Sequence, residues 1–110
     1  MTTERQAFEA GKTMLAILRA YWKTPDLFGP TANACFMLIT QRTVGELKRE
    51  VVLNGNEIAA YCGRKPSVVS ASLRELMEAG VVMRRRVRFD GLHWGYSYRI
   101  NRRAVLKLSE

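Results

Sequence analysis

Residues 56–82 read NEIAAYCGRKPSVVSASLRELMEAGVV, and this stretch decides which fold the chain can adopt. Asn56 is expected to cap a short helix over 57–62, because an asparagine side chain can accept a hydrogen bond from a free N–H of the first helical turn. Gly63 fits the left-handed end of that helix. Pro66 suits the first position of the next helix, where its missing N–H would be unpaired anyway. The stretch therefore predicts two helices joined by a short turn.

The second of these helices, expected over 67–79 and ended by Gly80, has two contrasting faces. Apolar side chains at helical spacing supply its packing against Ile58 and Ala59 of the first helix: Val69, Leu73, Leu76 and Met77. The opposite face carries residues that are small or basic: Ser67, Val68, Ser70, Ala71 and Arg74. A helix with such a face can enter the major groove of DNA, so these five are the candidate base-reading residues.

The segment 81–100 is expected to form a long β-hairpin, with Asp90-Gly91 as a two-residue turn. This turn pairs residues whose numbers sum to 181, and it places most apolar side chains on one face and most basic ones on the other. Arg85 is the exception, opposite Tyr96, where it could stack on the ring or extend to solvent. Guanidinium groups suit phosphates and narrow minor grooves. The candidate contacts to the DNA backbone or minor groove are Lys65, Arg84, Arg86, Arg88, His93 and Arg99.

Taken together, residues 50–101 resemble the winged helix-turn-helix DNA-binding domains of bacterial and archaeal regulators, in the broad MarR and ArsR style. The resemblance is carried by a short helix, a turn, a second helix and a strand, with matching positions at Gly63, Val69-Ser70, Leu73, Leu76, Gly80 and Val81-Val82. Lys65 departs from the pattern, since the family usually has a Ser or Thr cap there. The resemblance implies that the hairpin is a wing lying along DNA beside the recognition helix.

The first helix is expected over 2–23. Phe8, Leu15, Leu18 and Trp22 fall on one stripe, and the stripe is widened by further apolar side chains: Met14, Ile17 and Tyr21. This stripe is broader than one small core needs, which indicates a buried or dimer-forming helix.

Shorter elements complete the prediction. A second helix is expected from Thr31 to about Arg42, with inward side chains at Cys35, Phe36, Leu38 and Ile39, and a short strand near 50–53. The tail, 102–110, is expected to pack on the first helix, as either a helix or a strand. The hairpin tip is expected either to reach a partner subunit or nucleic acid, or to fold back on its own helices, through Phe89, Leu92 and Trp94.

Charge points to a polyanion partner. The 110 residues carry a net charge of +8. Residues 84–110 hold eight basic groups against two acidic ones, which gives +6, whereas residues 1–83 hold ten against eight, which gives +2. A concentration of one sign in one segment is typical of nucleic-acid-binding surfaces.

Other chemistry is expected to be absent. Cys35 and Cys62 have apolar neighbours, which favours buried thiols over a disulfide, redox or metal role. His93 is the single histidine, and no Cys-x-x-Cys spacing accompanies it, so we expect no zinc site and no cofactor. No glycine-rich phosphate loop, serine elbow or carboxylate pair indicates an enzyme. The polar start, MTTERQAFE, and the lack of a long apolar run predict a cytoplasmic, prokaryotic protein with no membrane span, associated with the nucleoid when bound.

The expected fold is α+β, mainly α: one winged helix-turn-helix domain over 1–110 with a long C-terminal hairpin wing. Its parts are N-terminal helices over 1–45, the helix-turn-helix over 56–80, the wing over 81–101 and the tail. The leading hypothesis is a sequence-specific transcription regulator that binds double-stranded DNA as a homodimer through the first helix and the tail. A plasmid or phage replication initiator, a protein-interaction module without DNA affinity, and an RNA-binding protein are the alternatives.

Overall fold

A computed structural model of the chain describes residues 3–89 and 93–110, with the side chains at 3, 89, 93 and 94 outside the description. The fold is α+β and mainly helical, as predicted. Its elements are α1 (Thr3–Lys23), α2 (Pro30–Arg42), β1 (Val51–Leu53), α3 (Gly55–Cys62), α4 (Pro66–Glu78), β2 (Val82–Phe89), β3 (His93–Ile100) and α5 (Arg102–Leu108).

Helix α3 begins earlier than predicted, and the cap expected at Asn56 is wrong. Asn54 is the capping residue: its side chain accepts a hydrogen bond from the Glu57 N–H at 2.8 Å, and the Glu57 carboxylate accepts one from the Asn54 N–H at 3.3 Å. This reciprocal pair satisfies two donors at once, which a cap at Asn56 would not. The helix ends as expected at Gly63, whose φ of 65° lies in the left-handed region that favours glycine.

Helix α4 forms where the turn chemistry places it. Lys65 is extended and Pro66 starts the helix, as the sequence predicts. The predicted inward side chains of α4 are buried except for Met77, which packs partly buried against the core. Helices α2 and α3 both contact α4, and the inward side chains predicted for α2 are also buried: Cys35, Phe36, Leu38 and Ile39. The three helices thus form one packed layer.

The strands form an antiparallel sheet in the order β1-β3-β2, which confirms the short strand predicted near residue 50. The predicted hairpin register is wrong by one residue: Val82 pairs with Ile100 and Phe89 with His93, so paired numbers sum to 182. Burial explains the difference. Val82, Tyr98 and Ile100 are all buried, which requires one shared face, whereas the predicted pairing divides Val82 from Tyr98. Asp90-Gly91 lies outside the described residues.

Helix α1 buries mostly small side chains, with Ile17 among them. Its buried residues are Thr13, Ala16, Ile17 and Ala20. The stripe of Phe8, Leu15, Leu18 and Trp22 is exposed, and we call these four residues the outer stripe. The tail is a helix, α5, which lies along α1 as expected of the tail.

Polar contacts at both ends hold α5 against α1. The Arg102 guanidinium donates to the Thr13 hydroxyl at 2.7 Å and to the Glu9 carboxylate at 2.6 Å. At the other end the Lys23 ammonium donates to the Ser109 carbonyl at 2.8 Å. The two helices therefore run in the same direction, side by side.

Candidate nucleic-acid interface

The outward face of α4 is formed by the residues that the sequence predicts. Ser67, Val68, Ser70, Ala71 and Arg74 are all exposed, while Val69, Leu73 and Leu76 on the other side hold the helix to the core. The exposed side chains are short apart from Arg74. A helix about 10–12 Å wide with its side chains fits a major groove about 12 Å wide only where the outward residues are small.

The turn before α4 is basic. Arg64 and Lys65 are both exposed, and the first turn of α4 carries no acidic side chain. Lys65 occupies the N-cap but makes no side-chain capping hydrogen bond, so the first N–H groups of α4 have no side-chain acceptor at the cap. Pro66 has no N–H and the Val68 N–H donates to the Lys65 carbonyl at 3.0 Å, so it is chiefly the helix dipole that favours an anion at this end. Position 65 and the start of α4 are therefore electrostatically suited to a phosphate.

Three predicted arginines share one face of the hairpin. Arg84 pairs with Tyr98, Arg86 with Tyr96 and Arg88 with position 94, so the three cations point to the side that carries the tyrosines. The predicted separation of basic and aromatic faces is thus wrong, for the same one-residue reason as the register. The guanidinium carbon of Arg84 lies 3.9 Å from the centre of the Tyr96 ring. Stacking of this kind holds an arginine extended, and the Arg84 side chain also hydrogen-bonds the Tyr98 side chain.

Arg99 lies on the opposite face of the hairpin from the row of Arg84, Arg86 and Arg88, which corrects its predicted position. It pairs with Met83, and its guanidinium approaches the Met83 sulfur at 3.8 Å. This face also borders an open cleft of about 700 Å³ between α1, the loop after α2, and the base of the hairpin. Among its lining residues are five cations: Arg5, Lys48, Arg49, Arg99 and Arg102.

Arg85 forms an ion pair with Glu50, an acid that the sequence does not single out. Its guanidinium contacts the Glu50 carboxylate at 2.7 Å, and the Ser97 hydroxyl donates to the same oxygen at 2.6 Å. These two donors, Ser97 first, hold the pKa of Glu50 below its usual range. Arg85 therefore neither stacks on Tyr96 nor joins the arginine row. The signal was available in principle, since Glu50 immediately precedes β1 and β1 pairs with β3.

Tyr98 anchors the arginine row in the core. It is buried, and burial raises the pKa of its hydroxyl, while the neighbouring Arg84 guanidinium acts in the opposite direction. Tyr98 pairs with Arg84 across the two strands. The buried base of the hairpin is therefore directly followed by Arg84, the innermost cation of the arginine row. The arginine row thus continues outward from the face on which the helical layer packs.

The two cysteines lie together in the helical layer. Cys35 is buried as expected, whereas Cys62 is only half-buried, and their sulfur atoms are 3.6 Å apart. Burial, with a smaller effect of Cys62, raises the pKa of the Cys35 thiol to about 12. Cys35 is therefore protonated at neutral pH. Within the described part of the chain, no group of three or more His, Cys, Asp or Glu side chains could hold a metal ion.

Some predicted positions lie outside the described residues. These are the side chain of His93 and the hairpin-tip side chains at Phe89, Leu92 and Trp94. In the ranges 3–89 and 93–110, no helix combines the length and the apolar character needed to cross a membrane. Comparisons with protein families, curated proteins and solved structures find no match to this chain.

Proposed function

We propose that the protein is a winged helix-turn-helix regulator that binds double-stranded DNA in a sequence-specific manner. The observation that carries the proposal is the combination of two surfaces. The outward face of α4 has small side chains and one arginine, and the neighbouring strand β2, which contacts α4, presents the arginine row. The first surface suits base edges in a major groove, and the second suits phosphates or a narrow minor groove.

Charge supports the same assignment. Arg64 and Lys65 lie before α4, while the acids of α4, Glu75 and Glu78, lie in its C-terminal half. Glu75 is also engaged, since its carboxylate accepts a hydrogen bond from the Gly29 N–H at 3.1 Å. The end of α4 that is suited to a phosphate is therefore the basic end. An RNA duplex is a poorer partner, because its deep and narrow major groove does not admit a helix.

The roles follow from position. Ser67, Ser70 and Arg74 read base edges, with Val68 and Ala71 in apolar contact with thymine methyl groups. Lys65 and the arginine row fix the protein on the backbone. Each backbone contact contributes affinity on every sequence, whereas each good base contact contributes about 1–3 kcal/mol of discrimination.

The test is a salt titration of binding to duplex DNA, followed by selection of preferred sites from a random pool. If about four to six phosphates are neutralised, the slope of log K against log salt is about −4 to −5. Arg86→Ala is expected to weaken binding on every sequence and to make the slope less negative by about 0.9. The matched control is Arg103→Ala, which removes an exposed cation of α5 and is expected to leave the slope unchanged.

Arg74→Ala distinguishes base-specific recognition from sequence-independent electrostatic binding. It is expected to relax the preference at one position of the selected site, with a smaller loss on random DNA. Equal losses on all sequences would remove Arg74 from the reading surface. Absence of binding at low salt, or an Arg103→Ala effect as large as that of Arg86→Ala, would overturn the proposed function.

A further inference from the structure

We propose that the open cleft between α1, the loop after α2 and the base of the hairpin holds the phosphate backbone of a second DNA duplex, so that the protein bridges two duplexes. The first duplex is the one bound by α4, and to that extent the inference rests on the proposed function. The cleft has a volume of about 700 Å³. Five of its lining residues are cations and one, Glu9, is an acid, which gives +4.

The cleft and the arginine row lie on opposite faces of the hairpin. Successive side chains of a strand point to alternate faces of a sheet. Arg84 and the other arginines of the row share the face of Tyr98. Met83 and Arg99 point to the other face, and both line the cleft. A straight duplex that contacts α4 and the arginine row therefore does not reach Arg99, and the cleft is a second cationic surface.

The acids around the cleft do not cancel its charge. The Arg102 guanidinium contacts the Glu9 carboxylate at 2.6 Å. The Lys48 ammonium lies 3.4 Å from the carboxylate of Glu46, which is not itself a lining residue. With both acids counted against the five cations, the net charge is +3. A surplus of one sign on a concave surface attracts a partner of the opposite sign.

Arg49 and Arg99 are the cations best suited to hold phosphates. Both are exposed, and they lie on different walls of the cleft, one on the loop after α2 and the other on β3. The Arg99 guanidinium donates to the Met83 sulfur at 3.8 Å, and a thioether is only a weak acceptor. A phosphate oxygen forms a stronger, charge-assisted hydrogen bond with a guanidinium. Arginines on two walls can therefore bind one sugar-phosphate backbone from both sides.

The loop after α2, residues 43–49, is held in shape by its own backbone. The Lys48 N–H donates to the Thr43 carbonyl at 2.7 Å, which closes the loop. Leu47, which lines the cleft, has a φ of 57°, in the left-handed region that is costly for residues other than glycine. Conformations of this kind persist where the surrounding contacts fix them, and they cluster at binding sites. The loop therefore presents Arg49 from a well-defined position.

The lining of the cleft suits the backbone of a duplex better than it suits unpaired bases. Proteins bind single strands largely by stacking the bases on aromatic side chains. Among the described residues that line the cleft, none is aromatic. A duplex keeps its bases stacked inside and presents its phosphates, which arginine binds without reading the sequence. The second contact is therefore expected on DNA of any sequence.

The experiment uses one duplex to capture another. Beads carry a duplex of the preferred sequence, or of random sequence if selection finds no preference, and a fluorescent duplex of unrelated sequence is added with the full chain. The unsubstituted protein is expected to retain the fluorescent duplex, in an amount that falls as salt is raised. Arg49→Ala combined with Arg99→Ala is expected to reduce capture about 10-fold and to make its salt slope less negative by about 1.8, which is about 0.9 for each lost contact.

Two controls accompany the double variant. Its affinity for a single duplex, measured by anisotropy, is expected to fall by about 2-fold at most, because α4 and the arginine row are intact. Both substituted side chains are exposed, so the circular dichroism spectrum and the urea midpoint are expected to stay the same. The matched control is Arg103→Ala combined with Lys107→Ala, which removes the same charge from exposed positions of α5 and is expected to leave capture unchanged.

Two results would overturn the inference. One is that the unsubstituted protein binds its preferred site but captures no second duplex, which keeps the proposed function and rejects the bridge. The other is capture that the Arg49 and Arg99 substitutions leave unchanged, which assigns bridging to two copies of the chain, each with one duplex on α4. Capture that requires Arg49 and Arg99 on DNA for which selection finds no preferred site rejects the proposed function and keeps this inference.

Discussion

Helices α4 and α1 are both amphipathic, but they arrange their side chains in opposite ways. Helix α4 buries large residues such as Leu73 and Leu76 and exposes short ones such as Ser70 and Ala71. Helix α1 buries mostly short residues, together with Ile17, and exposes its outer stripe. The comparison teaches that helical periodicity identifies two faces without saying which of them meets the protein's own core.

The difference has a physical basis in what each helix packs against. Helix α4 lies in the central layer, where α2, α3 and β2 surround it and large side chains fill the space between elements. Helix α1 packs chiefly on the short helix α5, and small residues let these two backbones come close. The four large side chains of the outer stripe therefore remain on the surface, whereas Ile17 is buried and Tyr21 packs against the core.

The largest expected change in the free energy of unfolding comes from comparing a leucine of α4 with a leucine of α1. Leu76 on α4 is fully buried, so Leu76→Ala is expected to lower the free energy of unfolding by about 2–5 kcal/mol through lost burial and a cavity. The matched change on α1 is Leu18→Ala. Measured on dilute monomer, it is expected to alter the free energy of unfolding by no more than about 0.5 kcal/mol. Urea denaturation measures both, and similar losses at the two sites would contradict the burial described for α1.

A smaller change in the free energy of unfolding is expected when a small residue of each helix is replaced by leucine. Ala16→Leu forces a large side chain into the closely packed face of α1, where Ala16 is buried, and is expected to cost about 1–3 kcal/mol. Ala71→Leu places the same side chain on the exposed face of α4 and is expected to leave the free energy of unfolding nearly unchanged. Thermal or urea unfolding compares the pair. A neutral Ala16→Leu would mean that α1 packs loosely.

The smallest effect concerns the polar contacts of α1. The Arg102 guanidinium, through its hydrogen bond to Glu9, holds the pKa of that carboxyl below its ordinary value of 4.5. A lowered pKa in the folded state stabilises the protein above pH 4.5, and this contribution is lost as the pH falls through the folded-state pKa. Glu9→Gln is therefore expected to lower the urea midpoint slightly at about pH 7. The difference in urea midpoint between Glu9→Gln and the unsubstituted protein is expected to disappear at acid pH.

Glu78→Gln, an exposed acid on α4 with no role in α1, is the control for this measurement. It is expected to leave the midpoint unchanged across the same pH range. A gap between Glu9→Gln and the unsubstituted protein that persists undiminished below the folded-state pKa would show that Glu9 stabilises α1 through packing rather than charge.

Local chemistry was readable from the sequence, and non-local pairing was not. Gly63 and Pro66 fix their own backbone geometry, so the turn between α3 and α4 is where the sequence predicts it. The cap was misplaced by two residues because both Asn54 and Asn56 have capping side chains, and only the reciprocal bond with Glu57 decides between them. The five outward residues of α4 were found because helix periodicity and the position of Pro66 set them.

The hairpin shows where sequence reasoning fails. Alternation of basic and aromatic residues favoured a register that separated them, but the register is set at the base of the strands, where Val82 and Ile100 must be buried together. That burial depends on the helical layer and not on the strands themselves. The stacking of Arg84 on Tyr96 follows from the corrected register. For the same reason the sequence could not assign Arg99 to its face.

The contact between α1 and α5 also has a consequence for biosynthesis. Arg102 and Glu9 are 93 positions apart, and Lys23 and Ser109 are 86 apart. Synthesis proceeds at about 5–20 residues per second, so α1 waits several seconds on the ribosome before α5 emerges. During that interval the face of α1 that contacts α5 lacks its final cover. Helix α1 is therefore made several seconds before the residues that bind its Glu9 and Lys23 side chains.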